Sequence, residues 1–151
     1  MTSVYHTPIK ANDRKFIPAM ASDLKIQFTD NAAIEARREH YLEVVVDVSA
    51  ILQSWRQSLF SHEWLTPDGQ IKDWKALPAT EQPKREKVEL DIANGRAVAK
   101  PILGIGLLDN VEIGSGKAEF LTLAAKGLAQ IPVHIPKSNE KDFKGFVCKM
   151  D

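Results

Sequence analysis

One stretch of the chain, residues 111–135, constrains the fold more than any other. Residues 111–113 form a short β-type run that ends at a turn with two glycines, Gly-Ser-Gly-Lys over residues 114–117. Apolar residues then recur at helical spacing as far as Leu128, and residues 131–135 form a second β-branched run. The order predicts a strand, a glycine turn, a helix and a strand. Pro132 predicts an edge or first-strand position for the last of these.

The turn before the predicted helix has the features of an anion site. A helix begins with unpaired backbone N–H groups and a positive dipole end, and here it begins beside the ammonium group of Lys117. Gly114 and Gly116 let a phosphate approach the backbone. The turn is not a P-loop, because that motif requires glycine and Ser or Thr where this chain has Val111 and Ala118. An ordinary turn that uses glycine for its dihedral angles remains the alternative.

The first half of the chain is predicted to form one strand and one long helix. Residues 1–21 are polar and aperiodic, which indicates an extended N-terminal lead. Residues 23–29 alternate in polarity and predict a half-buried strand. Residues 32–60 carry an apolar stripe with a seven-residue repeat, which predicts a long N-terminal helix that packs on a sheet. The same stripe is compatible with a dimer contact.

The middle of the chain is predicted to form a hairpin, a helix and a strand. Pro-Asp-Gly at residues 67–69 lies between apolar flanks and predicts a tight turn within residues 63–74. A short charged helix begins at Thr80 and ends at Gly95. Residues 101–108 then read as an apolar strand. Its two glycines indicate a close approach of another backbone or of a ligand.

Composition excludes several classes of protein. The chain has 20 Lys and Arg and 20 Asp and Glu, so no net charge draws it toward nucleic acid or a membrane. Its single cysteine, Cys148, excludes an internal disulfide and indicates a reducing compartment. The sequence contains no secretory signal pattern and no apolar run of membrane-spanning length. These features predict a cytoplasmic protein.

Within residues 95–135 the chain resembles the ParB/sulfiredoxin-like superfamily. Its glycines, its proline-containing strand starts and one glutamate are spaced as in that family's core motif; they are Lys100-Pro101-Ile102-Leu103, Glu112, Gly116, Gly127 and Ile131-Pro132-Val133. The resemblance implies an α+β fold, with a small mixed sheet flanked by helices. It implies a single compact ParB/sulfiredoxin-like domain over residues 22–151. Where the family typically has two arginines that hold nucleotide phosphates, this chain has Lys117, Ala118 and Glu119.

The resemblance also implies a site that binds ATP or CTP. The turn would line a pocket against the strand at Pro101, with two basic residues at the rim; the binding residues would be Gly114, Ser115, Gly116, Lys117, Arg96 and Lys100. Lys117 would replace the family's arginines. Glu119 would repel a phosphate unless Mg²⁺ lay between them, which assigns Glu119 as the metal ligand, with Glu112 or Asp109 as helpers. Lys117, Glu119 and Glu112 are then the catalytic candidates. A plain helix-terminal acid remains the alternative for Glu119.

Family members are associated with plasmid partition, nucleotide hydrolysis, nuclease activity and interference with conjugation. The resemblance therefore implies a nucleotide-binding protein of bacterial or plasmid origin. Its expected activity is that of a metal-dependent ATPase, nucleotidase or DNase. Its expected partners are DNA or a protein of the conjugation or replication machinery, and its expected role is that of an accessory or fertility-inhibition factor. The alternative is a catalytically inactive interaction module that inhibits a partner protein through residues 32–60 or through the hairpin within residues 63–74, which contains Trp64 and Trp74.

Overall fold

A computed structural model describes residues 25–148 of the chain, and the predicted lead over residues 1–21 lies outside them. The architecture is mixed α+β, as predicted. The strands are β1 (Phe28–Thr29), β2 (Tyr41–Asp47), β3 (Val98–Ala99), β4 (Ile102–Ile105), β5 (Val111–Ser115) and β6 (Gln130–Pro136). The α-helices are α1 (Val48–Trp55), α2 (Gln82–Ala93) and α3 (Lys117–Ala125). Short 3-10 segments cover Ala32–His40, Ser61–Glu63, Trp74–Ala76 and Lys137–Asn139.

Four of the strands form one mixed sheet in the order β2-β6-β4-β5. β2 and β6 are antiparallel, as are β4 and β5, whereas β4 and β6 are parallel. The two short strands β1 and β3 pair separately in parallel. The predicted strand over residues 23–29 is therefore only two residues long where the structure describes it. The strand predicted over residues 101–108 ends at Ile105, where a turn through Asp109 at φ 63° begins.

β6 is an interior strand, so the edge position predicted from Pro132 is wrong. The His134 N–H donates to the Pro101 carbonyl (2.9 Å), and N–H groups two residues apart in a strand point to the same side. The Pro132 nitrogen therefore points toward β4. β4 pairs with β6 only where Ile102 meets His134, so no β4 residue is paired with Pro132. The missing N–H of proline consequently breaks no hydrogen bond of the sheet.

The long helix predicted over residues 32–60 is also wrong. The 3-10 segment Ala32–His40 is interrupted at Arg37, β2 follows it, and only Val48–Trp55 is α-helical. Three consecutive valines lie in β2, and β-branched side chains favour a strand when a partner strand is present. β6 supplies that partner in full antiparallel register. The apolar residues of the seven-residue repeat do contribute to the core, because Ile34, Val48 and Trp55 are buried, but they do not lie on one helix.

The turn and the helix predicted for the middle of the chain are confirmed, although the helix covers Gln82–Ala93 and not the whole of residues 80–95. Leu65 and Ile71 pair across the turn that contains Gly69, which has φ 88°. α2 has a proline in its first turn and is followed by Gly95 at φ 71°. The indole of Trp64 is fully buried, whereas Trp74 is partly exposed, and the two rings donate hydrogen bonds to different partners.

One hydrophobic cluster joins the sheet to the helices, and it includes Val46 of β2, Ile51 of α1, Leu103 of β4, Phe120 of α3 and Ile131 of β6. These side chains are fully buried. Within residues 25–148 no helix is long and apolar enough to cross a membrane.

Candidate functional site

The glycine turn between β5 and α3 has the predicted local form. β5 ends at Ser115, Gly116 adopts φ 82° in the left-handed region, and α3 begins at Lys117. A Cβ added at Gly116 would lie 2.9 Å from the Pro101 Cα, so the turn rests directly on the residue before β4. The structure brings the turn and Pro101 together as predicted. However, Gly116 and Pro101 are in contact, so there is no space between them for the pocket that was expected there.

The first turn of α3 has no side-chain cap. The Phe120 N–H donates to the Gly116 carbonyl (2.9 Å), and the N–H groups of Lys117, Ala118 and Glu119 precede it. Within residues 25–148, no side chain accepts a hydrogen bond from these three donors. They are the groups that bind phosphate oxygens in other proteins with a glycine turn before a helix.

The ammonium group of Lys117 lies between two carboxylates. Its Nζ is 3.2 Å from Glu63 Oε1 and 3.4 Å from Glu81 Oε1. The side chain of Glu81 is only 5% exposed. Its Oε1 accepts a hydrogen bond from Trp64 Nε1 (2.9 Å) and its Oε2 pairs with Lys84 (3.1 Å). Burial by itself raises the pKa of Glu81, but these three partners outweigh it and hold that pKa below its ordinary value.

Electrostatics at the start of α3 are therefore less favourable to a bare anion than the sequence predicts. Glu119 lies in the first helical turn, and Glu63 and Glu81 neutralise Lys117. The charged groups in this region are three carboxylates, of Glu63, Glu81 and Glu119, and two ammonium groups, of Lys84 and Lys117. Within the described part of the chain, no group of three or more His, Cys, Asp or Glu residues is arranged to hold a metal ion.

Glu112, the third catalytic candidate, contacts a different set of groups. Ser58 Oγ donates to its Oε1 (2.7 Å), and Asn110 Nδ2 donates to its Oε2 (3.1 Å). Its side chain also packs against Gly106. Glu112 thus ties the β4–β5 hairpin to the chain after α1. Asp109, its proposed helper, is exposed in the hairpin turn.

The two cations predicted at the rim are also paired with carboxylates. Lys100 Nζ lies 3.1 Å from Asp30 Oδ1 and 2.8 Å from Glu43 Oε1, and its side chain is 13% exposed. Burial lowers the pKa of Lys100, but the two carboxylates more than reverse that effect and raise it. Arg96 lies in the loop after α2, where it pairs with Asp91 (2.8 Å). The structure therefore brings neither cation into contact with Lys117.

A buried polar cluster beside Lys100 was not foreseen from the sequence. The backbone N–H of Asn31 donates to His134 Nε2 (3.3 Å). The Asn31 side chain donates to the Lys100 carbonyl (3.0 Å) and to Ser115 Oγ (3.2 Å). Ser115, predicted to bind nucleotide, is therefore a partner of Asn31. The only sequence signal was a histidine inside the β-branched run of β6.

His134 makes the stability of this cluster dependent on pH. It is 3% exposed, and burial lowers its pKa below the ordinary value of 6.5, although Asp30 lies 3.9 Å away. The unfolded chain therefore binds the proton more readily than the folded protein does. The contribution of His134 to the free energy of unfolding is thus fully present above pH 6.5 and declines as the pH falls below that value. We expect urea denaturation of the wild type to show this decline, and His134→Gln to remove most of it.

His62→Gln is the matched control, because His62 is exposed and lies outside the cluster around His134, so the decline seen in the wild type should persist in this variant. Hydrogen bonds from Arg38 and Lys100 hold the pKa of Asp30 at about 2, so its own loss of stability comes only at more acidic pH. A wild-type profile that is flat around pH 6.5 would contradict this account of His134.

No family model, no curated protein and no solved structure matches the chain.

Proposed function

We propose that the first turn of α3 binds the phosphate groups of a magnesium nucleotide, ATP or CTP. The observation that carries the proposal is the uncapped helix start behind a left-handed glycine, where three consecutive N–H groups lack side-chain acceptors. The resemblance to the ParB/sulfiredoxin-like superfamily supports the same location. On this proposal the chain is a ParB/sulfiredoxin-like domain of a cytoplasmic bacterial or plasmid protein.

The charges around α3 make Mg²⁺ a requirement of this proposal. Glu63 and Glu81 neutralise part of the charge of Lys117, so Lys117 offsets only part of the repulsion between Glu119 and a phosphate. A divalent cation between Glu119 and the phosphate removes that repulsion. Mg²⁺ is commonly held by one or two carboxylates together with substrate phosphates, so Glu119 needs no cluster of further protein ligands.

Hydrolysis is the reaction that this arrangement would support. Water would attack the terminal phosphorus and pass a proton to an oxygen of the same phosphate. The bond to the bridging oxygen would break, and the nucleoside diphosphate would leave with the charge on that oxygen. The N–H groups at the start of α3 would stabilise the developing charge, as would Lys117 to the extent that Glu63 and Glu81 leave its charge available. Glu119 would hold Mg²⁺, which would supply further positive charge at the phosphate. A DNA phosphodiester is the second substrate of the same class. Glu112 is left with its structural role beside Ser58 and Asn110.

The test is a calorimetric titration with ATP and with CTP, each with and without Mg²⁺. We expect binding only with Mg²⁺. Glu119→Gln should abolish the dependence on Mg²⁺, because it removes both the metal ligand and the repulsion. Glu140→Gln, at an exposed glutamate outside the site, should change neither. Lys117→Ala should weaken binding by about tenfold, as expected for the loss of one charge-assisted contact.

Absence of binding by either nucleotide in the millimolar range, with Mg²⁺ present, would overturn the proposal. So would binding that Lys117→Ala and Glu119→Gln both leave intact. Phosphate release measured with the same variants then separates a nucleotidase from a binding protein, and cleavage of a labelled duplex tests the DNase activity.

A second function, that of an inhibitory interaction module, is favoured by a different observation. Two pairs of large apolar side chains are exposed, Leu59 with Phe60 and Leu107 with Leu108. Both pairs lie next to residues that contact Glu112, because Ser58 donates to its carboxylate and Gly106 packs against its side chain. Exposed apolar groups from two segments near one point are typical of protein contact surfaces. The partner proposed is a protein of the conjugation or replication machinery.

A conjugation assay separates the two functions. If the interaction proposal holds, a variant with Phe60→Asp and Leu107→Asp should lose inhibition of plasmid transfer, while Lys117→Ala retains it. Leu90→Asp is the matched control, because Leu90 is an exposed leucine on α2. Loss of inhibition in the Lys117→Ala variant alone would instead favour the nucleotide site.

A further inference from the structure

A cavity of about 480 Å³ lies beside the hairpin that follows α1. Three basic side chains from three different segments line it; they are Arg56 at the end of α1, His62 in the 3-10 helix Ser61–Glu63, and Lys72 after the hairpin turn. Leu65 and Pro67 provide apolar walls, and no described carboxylate side chain lines the cavity. Its volume falls in the range of small-molecule sites, roughly 300–1,000 Å³.

The basic groups of this cavity lack counter-ions, unlike those near α3. Within residues 25–148, neither Arg56 nor Lys72 forms an ion pair, whereas Lys100 and Lys117 each pair with two carboxylates. Arg56 donates from Nη2 to the Pro67 carbonyl (3.0 Å), which orients the guanidinium group and leaves other N–H donors unused. Arg56 is exposed and Lys72 is partly buried, so water solvates both cations in the free protein, and an anion that enters the cavity meets positive charge without a competing carboxylate.

Internal hydrogen bonds hold the segments that carry these cations. The Lys72 N–H donates to the Trp64 carbonyl (2.8 Å), and Arg85 donates to the Lys72 carbonyl (3.1 Å). The ring of His62 is oriented by a hydrogen bond that its Nδ1–H donates to the Leu59 carbonyl (2.9 Å). The cavity therefore has a backbone that is fixed before a ligand arrives, and this lowers the entropy lost on binding.

We propose that this cavity binds a small phosphate monoester, with its phosphate on Arg56 and Lys72, beside His62, and its apolar part against Leu65 and Pro67. A phosphate offers three acceptor oxygens and nearly two negative charges, which suits two cations with several N–H donors better than a carboxylate does. The basic groups converge on one cavity and do not form a stripe, and the chain has no net charge. A small molecule therefore fits better than a nucleic acid backbone.

Phenyl phosphate is the probe, because it combines the two features that the cavity recognises. Titration followed by backbone amide NMR should shift resonances at Ser61, Thr66 and Lys72. Lys72→Gln should weaken binding by about tenfold or more, since a hydrogen bond to a charged group is lost. Lys75→Gln should leave binding unchanged, because Lys75 is exposed on the next turn and does not line the cavity.

Three results would overturn the proposal. One is the absence of shifts at the cavity in the millimolar range; another is an equal loss of affinity in the Lys72→Gln and Lys75→Gln variants. The third is tighter binding of a single-stranded oligonucleotide, which would assign the surface to nucleic acid. Lys117→Ala should not change binding of phenyl phosphate at the cavity, so this test stands whether or not α3 binds a nucleotide.

Discussion

Replacing Gly116 by alanine should lower the free energy of unfolding by about 3 kcal/mol. Two costs add together at this residue. The left-handed φ of 82° strains any residue that has a Cβ, and the new Cβ would lie 2.9 Å from the Pro101 Cα. That neighbour belongs to the backbone that enters β4, so it cannot move aside without disturbing the sheet. Urea denaturation followed by circular dichroism measures the change.

Gly127→Ala separates the two costs. Gly127 has φ 94° at the end of α3, but nothing lies within 4 Å of its added Cβ. Only the backbone strain remains there, so the loss should be about 1 kcal/mol. If the two variants prove equally stable, the close contact between Gly116 and Pro101 adds nothing to the cost of the substitution, and the turn is an ordinary left-handed one.

Replacing Trp64 by alanine should lower the free energy of unfolding by about 3–5 kcal/mol. The side chain is fully buried, so its removal leaves a cavity in the core. The change also deletes the N–H that donates to Glu81, a carboxylate that is 5% exposed. Thermal unfolding and urea denaturation report this loss directly.

Two further substitutions separate packing from hydrogen bonding at this position. Trp64→Phe keeps most of the ring and loses the N–H, so we expect a loss of about 1–2 kcal/mol. Trp74→Ala alters a partly exposed tryptophan and should cost less than Trp64→Ala. The account fails if Trp64→Phe is as damaging as Trp64→Ala, because the hydrogen bond would then account for the whole effect.

The Trp64 indole also bears on the nucleotide proposal. It holds Glu81, and Glu81 lies 3.4 Å from Lys117 at the start of α3. Without the indole hydrogen bond, Glu81 is free to pair more closely with Lys117. Trp64→Phe should therefore weaken Mg²⁺-nucleotide binding modestly, even where the protein remains folded.

Secondary structure was predictable from the sequence where the signal is local. The β5–α3–β6 unit and the Pro-Asp-Gly hairpin follow from proline, from glycines with positive φ and from short apolar periods. The prediction failed where one pattern fits two structures. Residues 32–60 repeat every seven positions like a helix, yet β2 forms because β6, far along the chain, offers a complete partner strand.

The candidate site was predictable only in its backbone. Gly116 and the uncapped start of α3 are properties of neighbouring residues, so the sequence alone determined them, together with the α+β class. The tertiary structure decided which charges are available there. Lys117 is paired with Glu63, 54 residues away, and Lys100 with Glu43, 57 residues away. The energy of an ion pair depends on the distance between the two charges in space. The number of residues between them along the chain does not give that distance, so these pairs could not be predicted before the fold was known.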